Sequence, residues 1–509
     1  MGDLEFLFLL LLATAALVRL ADLARIPYPI VLVLGGLGVG VLPGLPDIVL
    51  EPEVIFLVFL PPLLSAAAFN TSPQALRAQA GPLAFLAVGL VLLTMAAVAV
   101  VAHAVVPGLG WEAAFILGAV VAPTDTVAAA AAFSRMGVPD HVKLLVGGEA
   151  LINDATALVV FRVTVAASVS GTFSAGDAML EFVLSALGGV AIGALVGVVQ
   201  LRILRKLDDT ALSIFITVLV PYGAYVAAEE AGVSGVLAVV VVGLYLGWHT
   251  HSAFGADTRL SGIAFWGVLD FAINATLFVL LGLQFPVLVE ELQRELTLGG
   301  LLGAAVLVAL TIVVVRLACI TFPGLGGTGR ERLAVGWSGM RGAVSLAAAL
   351  AIPTSVEGRD EILFITFVVI LVTLVGQGLT LPALLRVLNI HGPTPWSPEE
   401  ALARLEAAQS ALDRLDELED EGAGEEQLRR LREFYRARFQ RCQAVIGGDR
   451  SASSAHAESR LRYGALRREL IGVERGALID LRNRGRLKSE LMRSIERDLD
   501  LEEARLGDG

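Results

Sequence analysis

Charged and aromatic side chains are scarce in this sequence, and cysteine is almost missing. Charged residues make up 17% of the 509 residues and aromatic residues 6%, and there are two cysteines, Cys319 and Cys442. Two cysteines so far apart provide neither a disulfide framework nor the ligand spacing of a zinc site, so we interpret both as structural. The sequence also has no phosphate-binding glycine loop, no HExxH helix and no nucleophile paired with a base. These absences argue against an enzyme, and we expect no cofactor.

Long apolar runs dominate what is present. Hydrophobic residues make up 56% of the sequence and the mean hydropathy is +0.74, values far outside the range of soluble globular proteins. Runs at 83–102, 301–315 and 362–376 are separated by short polar gaps, and several runs reach the ~20 residues that cross a bilayer as a helix. The sequence therefore predicts an all-α polytopic membrane protein. We interpret the first run, 6–18, as a retained helix, because no basic segment precedes it and no small-residue cleavage site follows it.

Basic residues fall in alternate gaps between the apolar runs, and acidic residues fall in the others. The basic set comprises Arg19, Arg25, Arg77, Arg135, Lys143, Arg202, Arg205, Lys206, Arg259, Arg316, Arg330, Arg332 and Arg386. The acidic set comprises Asp47, Glu51, Glu53, Asp177, Glu229, Glu230, Glu290, Glu291, Glu295, Glu357, Asp360 and Glu361, with Arg294 and Arg359 as basic exceptions. Because Lys and Arg are enriched in cytoplasmic loops, the pattern predicts an outer N-terminus, a cytoplasmic C-terminus and about thirteen spans.

The composition changes at HGPTPWSPEE, residues 391–400, after which charged residues become dense and apolar runs end. Ser397 and Pro398, followed by two glutamates, are typical of a helix N-terminus. We therefore predict two domains, a transmembrane domain at 1–390 and a charged, helical, cytosolic C-terminal domain at 391–509. The Leu and Ala spacing of the second domain allows either a solvated helical tail or a regulatory, dimer-stabilising domain.

Three polar clusters interrupt the apolar runs. The first, VVAPTDTVAAAAA (120–132), places Pro123 inside a span. The second is GGEALINDATALVVFR (147–162), and the third, AVGWSGMRGAVSLAAALAIP (334–353), surrounds Arg341 with glycines. Charge at the centre of a bilayer is costly, so such residues are expected to face a cavity or a partner. Broken helices at corresponding positions of two halves are typical of secondary transporters with inverted repeats, and the first and third clusters fit that pattern.

The second cluster places its two acids on different faces of a helix. At 100° per residue, Glu149 and Asp154 are separated by ~140°. Asp154 can therefore face a hydrated cavity while Glu149 faces a neighbouring helix and needs a cation there. We predict Arg341 as that cation. Arg162 lies two turns beyond Asp154, and its side chain either reaches a membrane interface or serves the site.

Four motifs together resemble the monovalent cation:proton antiporter-1 family, the sodium/proton exchangers, in its bacterial branch. GGEALINDATALVVFR is similar to the family's helix with an Asn-Asp pair, and APTDT to its unwound crossing segment. WSGMRGAVSLAAALAIP is similar to the arginine segment of the second crossing helix, and FLPPLLSAAAFN (59–70) to the third-helix signature. The similarity in order and spacing covers roughly residues 5–390. It implies a thirteen-helix fold of two inverted six-helix repeats, a homodimer in the bacterial plasma membrane, and exchange of Na⁺ or Li⁺ for H⁺.

The resemblance also assigns roles to individual residues. Asp154 would bind Na⁺ and the proton alternately, and Glu149 with Arg341 would form a structural ion pair between core helices. The residues expected to support the ion site are Asn153, Thr124, Asp125, Thr126, Pro123 and Ser345. Relatives often carry an acid where this chain has Ala66, a proline where it has Thr126 and a serine where it has Ala150. These departures leave the preference between Na⁺ and K⁺ open.

One neutral residue bears on stoichiometry. Electrogenic relatives carry a second acid at the position of Asn153, so with Asp154 as the single titrating group the exchange would be electroneutral and one for one. A K⁺/H⁺ antiporter remains the main alternative. A cation channel would not need two broken helices in separate halves. A proton-coupled organic-solute carrier would favour a binding pocket with aromatic residues, and few aromatic residues lie in or next to the polar clusters: Phe161, Trp337 and Phe133, which directly follows the first cluster.

Overall fold

The computed structural model describes residues 3–42, 52–136, 138–170, 175–292, 298–320, 327–390, 398–420 and 425–447, with short pieces between 466 and 503. The chain forms two compact units, residues 1–392 and 393–509. All regular structure in the described ranges is helical, apart from one isolated bridge.

Eighteen α-helices make up the first unit as far as the structure describes it. They are α1 (Asp3–Ala24), α2 (Tyr28–Gly40), α3 (Pro52–Val54), α4 (Leu60–Phe69), α5 (Pro73–Ala78), α6 (Ala80–Ala84), α7 (Leu90–Val105), α8 (Trp111–Val121), α9 (Val127–Met136), α10 (Asp140–Ser170), α11 (Ala175–Leu204), α12 (Thr210–Glu230), α13 (Gly235–Ala253), α14 (Ala256–Leu292), α15 (Leu298–Ile320), α16 (Gly329–Trp337), α17 (Ala343–Leu350) and α18 (Arg359–Val387). Single π turns, Ile55–Phe59 and Phe85–Gly89, join α3 to α4 and α6 to α7.

The lengths and composition of these helices confirm the predicted all-α membrane fold. Among the described residues, seven helical segments are long and apolar enough to cross a bilayer. They are Ala80–Val105, Asp140–Val169, Met179–Leu204, Thr210–Glu230, Ala256–Pro286, Gly299–Ile320 and Arg359–Val387. Four shorter apolar helices accompany them, Tyr28–Gly40, Ile55–Phe69, Trp111–Val121 and Gly235–Thr250.

Two long helices lie inside the bundle and the others lie around them. In α10 and α18, 78% and 72% of the most apolar stretch is buried, against 22% in α11. The helix that carries Asp154 is therefore surrounded by protein, while α11 presents most of its surface outward. Close approach elsewhere depends on small residues. Where α2 packs on α14, a side chain at Gly36 or Gly282 would run into the backbone of the other helix, at Val279 and Val33.

Contacts between helix ends show which termini share a side of the bundle. Arg205, just after α11, bonds to Ser252 near the end of α13 (2.8 Å), and the start of α12 contacts the start of α14 through Thr210 and Thr258. We call this side the basic end. It carries these basic residues: Arg77, Lys143, Arg205, Lys206 and Arg259. The opposite side, the acidic end, carries Glu53, Glu112, Glu229, Glu230, Glu357 and Glu361.

One basic residue used to predict the topology is not in a gap. Arg316 was predicted to mark a loop, but α15 continues to Ile320 and the Arg316 side chain is 2% exposed. The helix can enclose this charge because a carboxylate on another helix pairs with it, as described below. Other residues of that prediction, namely Asp47, Glu51, Arg294 and Glu295, lie outside the described residues, as do the side chains of Arg135, Asp177, Glu290 and Glu291.

The second unit contains a helical hairpin of α19 (Pro398–Asp420) and α20 (Glu425–Ile446). Arg432 on α20 joins the two helices, because its Nη2 donates to Asp416 (2.7 Å) and Glu419 (2.6 Å) on α19. Cys442 is buried in α20. The predicted boundary at 391–397, including the predicted N-cap Ser397, lies outside the described residues.

Candidate functional site

Two interrupted helices meet at the centre of the first unit. Pro123, which has no N–H to donate, lies in the break between α8 and α9, and residues 338–342 form the break between α16 and α17. Asp125 and Met340 form an isolated antiparallel bridge, in which the Asp125 N–H donates to the Met340 carbonyl (2.7 Å). The two breaks therefore run in opposite directions, as inverted repeats require.

Asp125 sits at the amino ends of two half-helices. Its Oδ1 accepts a hydrogen bond from the Val127 N–H at the start of α9 (2.8 Å), and its carboxylate also bonds to the backbone of Ala343 at the start of α17. A negative charge is favourable at a helix amino end, where N–H groups lack partners. Gly342 makes the approach possible, because a Cβ there would overlap the Asp125 carboxylate.

Arg341 sits at the carboxyl ends of the other two half-helices. Its Nε donates to the Val121 carbonyl at the end of α8 (2.7 Å), and its Nη1 donates to the Gly339 carbonyl just after α16 (2.6 Å). The side chain is 1% exposed. A buried cation is favourable there because carbonyls at a helix carboxyl end lack partners. Asp125 and Arg341 thus compensate the four helix ends that the two breaks create.

The predicted pair of Glu149 with Arg341 is wrong, because the structure pairs Glu149 with Arg316. Arg316 Nη1 lies 2.5 Å from Glu149 Oε1, and Nη2 lies 2.8 Å from Oε2. Arg316 also donates to the carbonyls of Gly336 (3.0 Å) and Val335 (3.1 Å) near the end of α16. This two-point pair links α10 to α15 and α16 inside the protein. The sequence does contain a sign of this: the apolar run continues for four residues past Arg316, to Ile320, whereas an arginine in a loop would stand at the end of the run.

The candidate ion site lies where α10 passes the first break. The Asn153 Nδ2 donates to the Thr124 Oγ1 (2.7 Å), which ties the Asn-Asp pair of α10 to the crossing segment. Asn153 Oδ1, Asp154 Oδ1 and Ser345 Oγ are among the buried oxygens that have no hydrogen-bond partner within the described structure; the others belong to Gln200, Thr366 and Gln377. Buried polar atoms normally have partners. Carboxylate, amide and hydroxyl oxygens are the ligands that hard cations prefer, so this donor set suits Na⁺ or Li⁺.

A cavity of about 790 Å³ leads to this site. Among the predicted site residues, Pro123, Thr124, Asp125, Thr126, Asp154 and Ser345 line it. Asn153 lies behind Thr124, outside the lining. Ala66 and Ala150 also line the cavity. Its other walls reach the basic end of the bundle at Asn70, Thr250 and Arg259.

One acidic residue of this cavity is not among the site residues predicted from the sequence. Asp270, on α14, lines the wall together with Asn274 and Tyr28. It is a lone acid in the apolar stretch WGVLDFAIN, outside the three polar clusters. Asp270 is half-buried, and Asn274 is 4% exposed.

Arg162 lies away from the ion site, at the acidic end of the bundle. Its Nη2 contacts both carboxylate oxygens of Glu229 at 2.7 Å. The Arg162 side chain is 45% exposed and the Glu229 side chain 29%. Arg162 thus has its partner away from the ion site, and the pair joins the end of α10 to the end of α12.

Comparison with known proteins places this architecture in one family. The transmembrane profile of the sodium/hydrogen exchangers matches residues 8–387. An uncharacterized Na⁺/H⁺ exchanger of Mycobacterium bovis is 36% identical, over 95% of this chain and 92% of that protein. The Na⁺/H⁺ antiporter ApNhaP of Aphanothece halophytica is 32% identical, over 79% of this chain and 77% of that protein.

A sodium, potassium, lithium and rubidium/H⁺ antiporter of Bacillus subtilis is 31% identical, over 74% of this chain and 61% of that protein. Among solved structures, the sodium proton antiporter MjNhaP1 from Methanocaldococcus jannaschii at pH 8 has the same fold. It is 21% identical, with a TM-score of 0.58 over 76% of this chain and 98% of that chain. With its two antiparallel helix breaks and a family match across the whole transmembrane unit, this chain belongs to the sodium/hydrogen exchanger family.

Proposed function

We propose that this protein exchanges Na⁺ or Li⁺ for H⁺ across the membrane by alternating access, at Asp154. The observation that carries the proposal is the Asp154 carboxylate, which lines the cavity beside the first helix break while its Oδ1 has no partner among the described residues. One carboxylate then serves two competing ligands, since a bound proton and a bound cation occupy the same oxygens. Release of one allows binding of the other, so the two fluxes are coupled.

The other polar residues hold this carboxylate in place. Asn153 fixes α10 to Thr124, and the Asp125 charge is held by backbone amides at two helix ends. Thr124 and Ser345 offer hydroxyl oxygens on the cavity wall. Among these groups, Asp154 alone has a carboxylate oxygen without a hydrogen-bond partner in the described structure. The proposed site therefore carries one exchangeable charge.

We infer thirteen membrane crossings when each broken helix counts as one. They are α1, α2, α3–α4, α6–α7, α8–α9, α10, α11, α12, α13, α14, α15, α16–α17 and α18. Since basic residues favour the cytoplasmic side, the basic end would face the cytoplasm, with the N-terminus outside and the C-terminus inside. The cavity then opens toward the cytoplasm. A homodimer in the bacterial inner membrane is part of the same proposal.

The direct test is transport by the purified protein in liposomes. A pH-sensitive dye trapped inside should report proton movement when Na⁺ or Li⁺ is added, and K⁺ serves as the comparison. Relatives named for sodium, potassium, lithium and rubidium make K⁺/H⁺ exchange the second candidate. A response to K⁺ with none to Na⁺ would select that candidate, and no response to any of the three cations would refute the proposal.

The stoichiometry gives a separate prediction. With Asp154 as the one exchangeable carboxylate, clamping the membrane potential with K⁺ and valinomycin should leave the size of the Na⁺-driven pH signal unchanged. Asp125 is another acid on the cavity wall, and its place at the amino ends of two half-helices, where it accepts from the Val127 N–H, favours its charged form throughout the cycle. A signal that grows or collapses with voltage would contradict one-for-one exchange, and Asp125→Asn would then show whether Asp125 moves the extra charge.

A further inference from the structure

The cavity wall holds a carboxylate that the proposed mechanism does not use. Asp270 lies on α14, one turn before Asn274, whose Nδ2 donates to the Asp270 Oδ1 (3.2 Å) and carbonyl (2.9 Å). The amide therefore fixes the acid against its own helix. Both residues line the same cavity as Asp154, which lies on α10. The two carboxylates thus belong to different walls of one space.

No basic side chain in the described part of the chain pairs with Asp270. The basic residue that the structure places in the cavity lining is Arg259, and its Nη1 donates to the Phe254 carbonyl (2.7 Å). Arg259 precedes Asp270 by about three helical turns, which is ~16 Å along α14. Glu149, by contrast, is paired with Arg316, and Asp125 accepts a hydrogen bond from the Val127 N–H. An acid without a cation is costly in this setting, so Asp270 has a reason to be there other than packing.

A second oxygen-bearing side chain stands close to Asp270. Tyr28, at the start of α2, lines the cavity, and its ring packs on Phe271 with 5.6 Å between ring centres. The Tyr28 phenol lies within electrostatic reach of both Asp270 and Asp125. Phenol, amide and carboxylate oxygens therefore all line the cavity that provides the route from the basic end to the helix break. That route ends at Asp154 Oδ1 and Ser345 Oγ, two buried oxygens on the cavity wall that lack partners in the described structure.

We propose that Asp270, together with Asn274 and Tyr28, forms a recruiting site that takes a monovalent cation from solution and passes it to Asp154. The inference rests on the proposed exchange at Asp154 and adds a first binding step to it. A negative group in a cleft with low-dielectric walls raises the local concentration of cations. Asp270 therefore sets the cation concentration at which exchange reaches half its maximal rate, while Asp154 determines whether exchange occurs.

The test is the cation dependence of exchange by the full chain in inside-out membrane vesicles, whose outer surface is the cytoplasmic face. Asp270→Asn should raise the KM for Na⁺ roughly tenfold, because the attracting charge is lost, and should leave the rate at saturating Na⁺ unchanged. Asp270→Glu keeps the charge and should stay close to the wild-type KM. Tyr28→Phe, which removes one hydroxyl, should raise the KM less than Asp270→Asn does.

A matched control lies on the same helix. Asp257 is an exposed acid in the first turn of α14, so Asp257→Asn removes the same charge outside the cavity and should leave the KM unchanged. Wild type and Asp154→Asn in the same vesicles test the proposed function separately. A wild-type KM in Asp270→Asn, an equal shift in Asp257→Asn, or a lower maximal rate at constant KM would overturn the recruiting site. If Asp270→Asn does not fold, an unshifted KM in Tyr28→Phe overturns the site in the same way.

Discussion

Asp154→Asn is expected to abolish Na⁺-driven proton movement, reducing it to the signal of protein-free liposomes. The substituted amide carries no charge and cannot take up and release the proton, so neither half of the exchange can proceed. The fold should survive, because asparagine has nearly the shape of aspartate and the Asp154 Oδ1 has no hydrogen bond to lose among the described residues. The measurement is dye dequenching after Na⁺ addition, with elution on gel filtration compared to wild type.

The control for this prediction is Asp257→Asn, the exposed acid at the start of α14. It removes one negative charge from the same unit without touching the cavity, and it should exchange at the wild-type rate. A folded Asp154→Asn protein that retains near wild-type flux would place the ion site at another residue. Asp125 and Asp270, the other two acids on the cavity wall, would then be the next to test.

Local features of the sequence were enough to predict the helix break and the direction in which Asp154 faces. Pro123 predicted a helix break because proline lacks an N–H, and the structure ends α8 at Val121. The 100° rotation per residue predicted that Asp154 and Glu149 face different neighbours, and Asp154 does line the cavity while Glu149 meets another helix. These inferences use residues within one or two turns of each other, where helix geometry is fixed.

Ion pairs between helices that are distant in the chain could not be predicted from the sequence. Glu149 needed a buried cation, but Arg316 and Arg341 both lay far along the chain, and only the fold decides which arginine reaches it. Arg316 is 167 positions away in the chain. The sequence predicts Arg341 as the partner because it stands in a polar cluster, whereas in the structure Arg341 donates to the helix-end carbonyls of Val121 and Gly339. Asp270 could not be predicted as a site residue for a related reason. A lone acid in an apolar run belongs to a site only if other helices enclose a cavity beside it, and the sequence does not show that cavity.

The second large effect is expected at the buried pair that the structure identifies. Glu149→Gln leaves the Arg316 guanidinium enclosed without its carboxylate, and stranding one partner of a buried pair costs ~3–5 kcal/mol. We expect a marked fall in the thermal unfolding temperature of the purified protein and a parallel loss of exchange, because the pair joins α10 to α15 and α16. Arg162→Ala is the control. It breaks an ion pair whose side chains are 45% and 29% exposed, and such pairs contribute ~1 kcal/mol or less.

A double-mutant comparison distinguishes the two arginines. Glu149→Gln combined with Arg316→Met removes both charges of one pair. The loss of stability in the double mutant should therefore be clearly smaller than the sum of the losses in the two single mutants. Some loss should remain, since the Gly336 and Val335 carbonyls lose their donor. Glu149→Gln combined with Arg341→Met leaves Arg316 unpaired and also leaves the helix-end carbonyls of Val121 and Gly339 without a donor. The loss of stability in this double mutant should therefore be closer to the sum of the losses in the two single mutants. Stronger coupling of Glu149 to Arg341 than to Arg316 would show that the resting pairing in the membrane is the one that the sequence suggested.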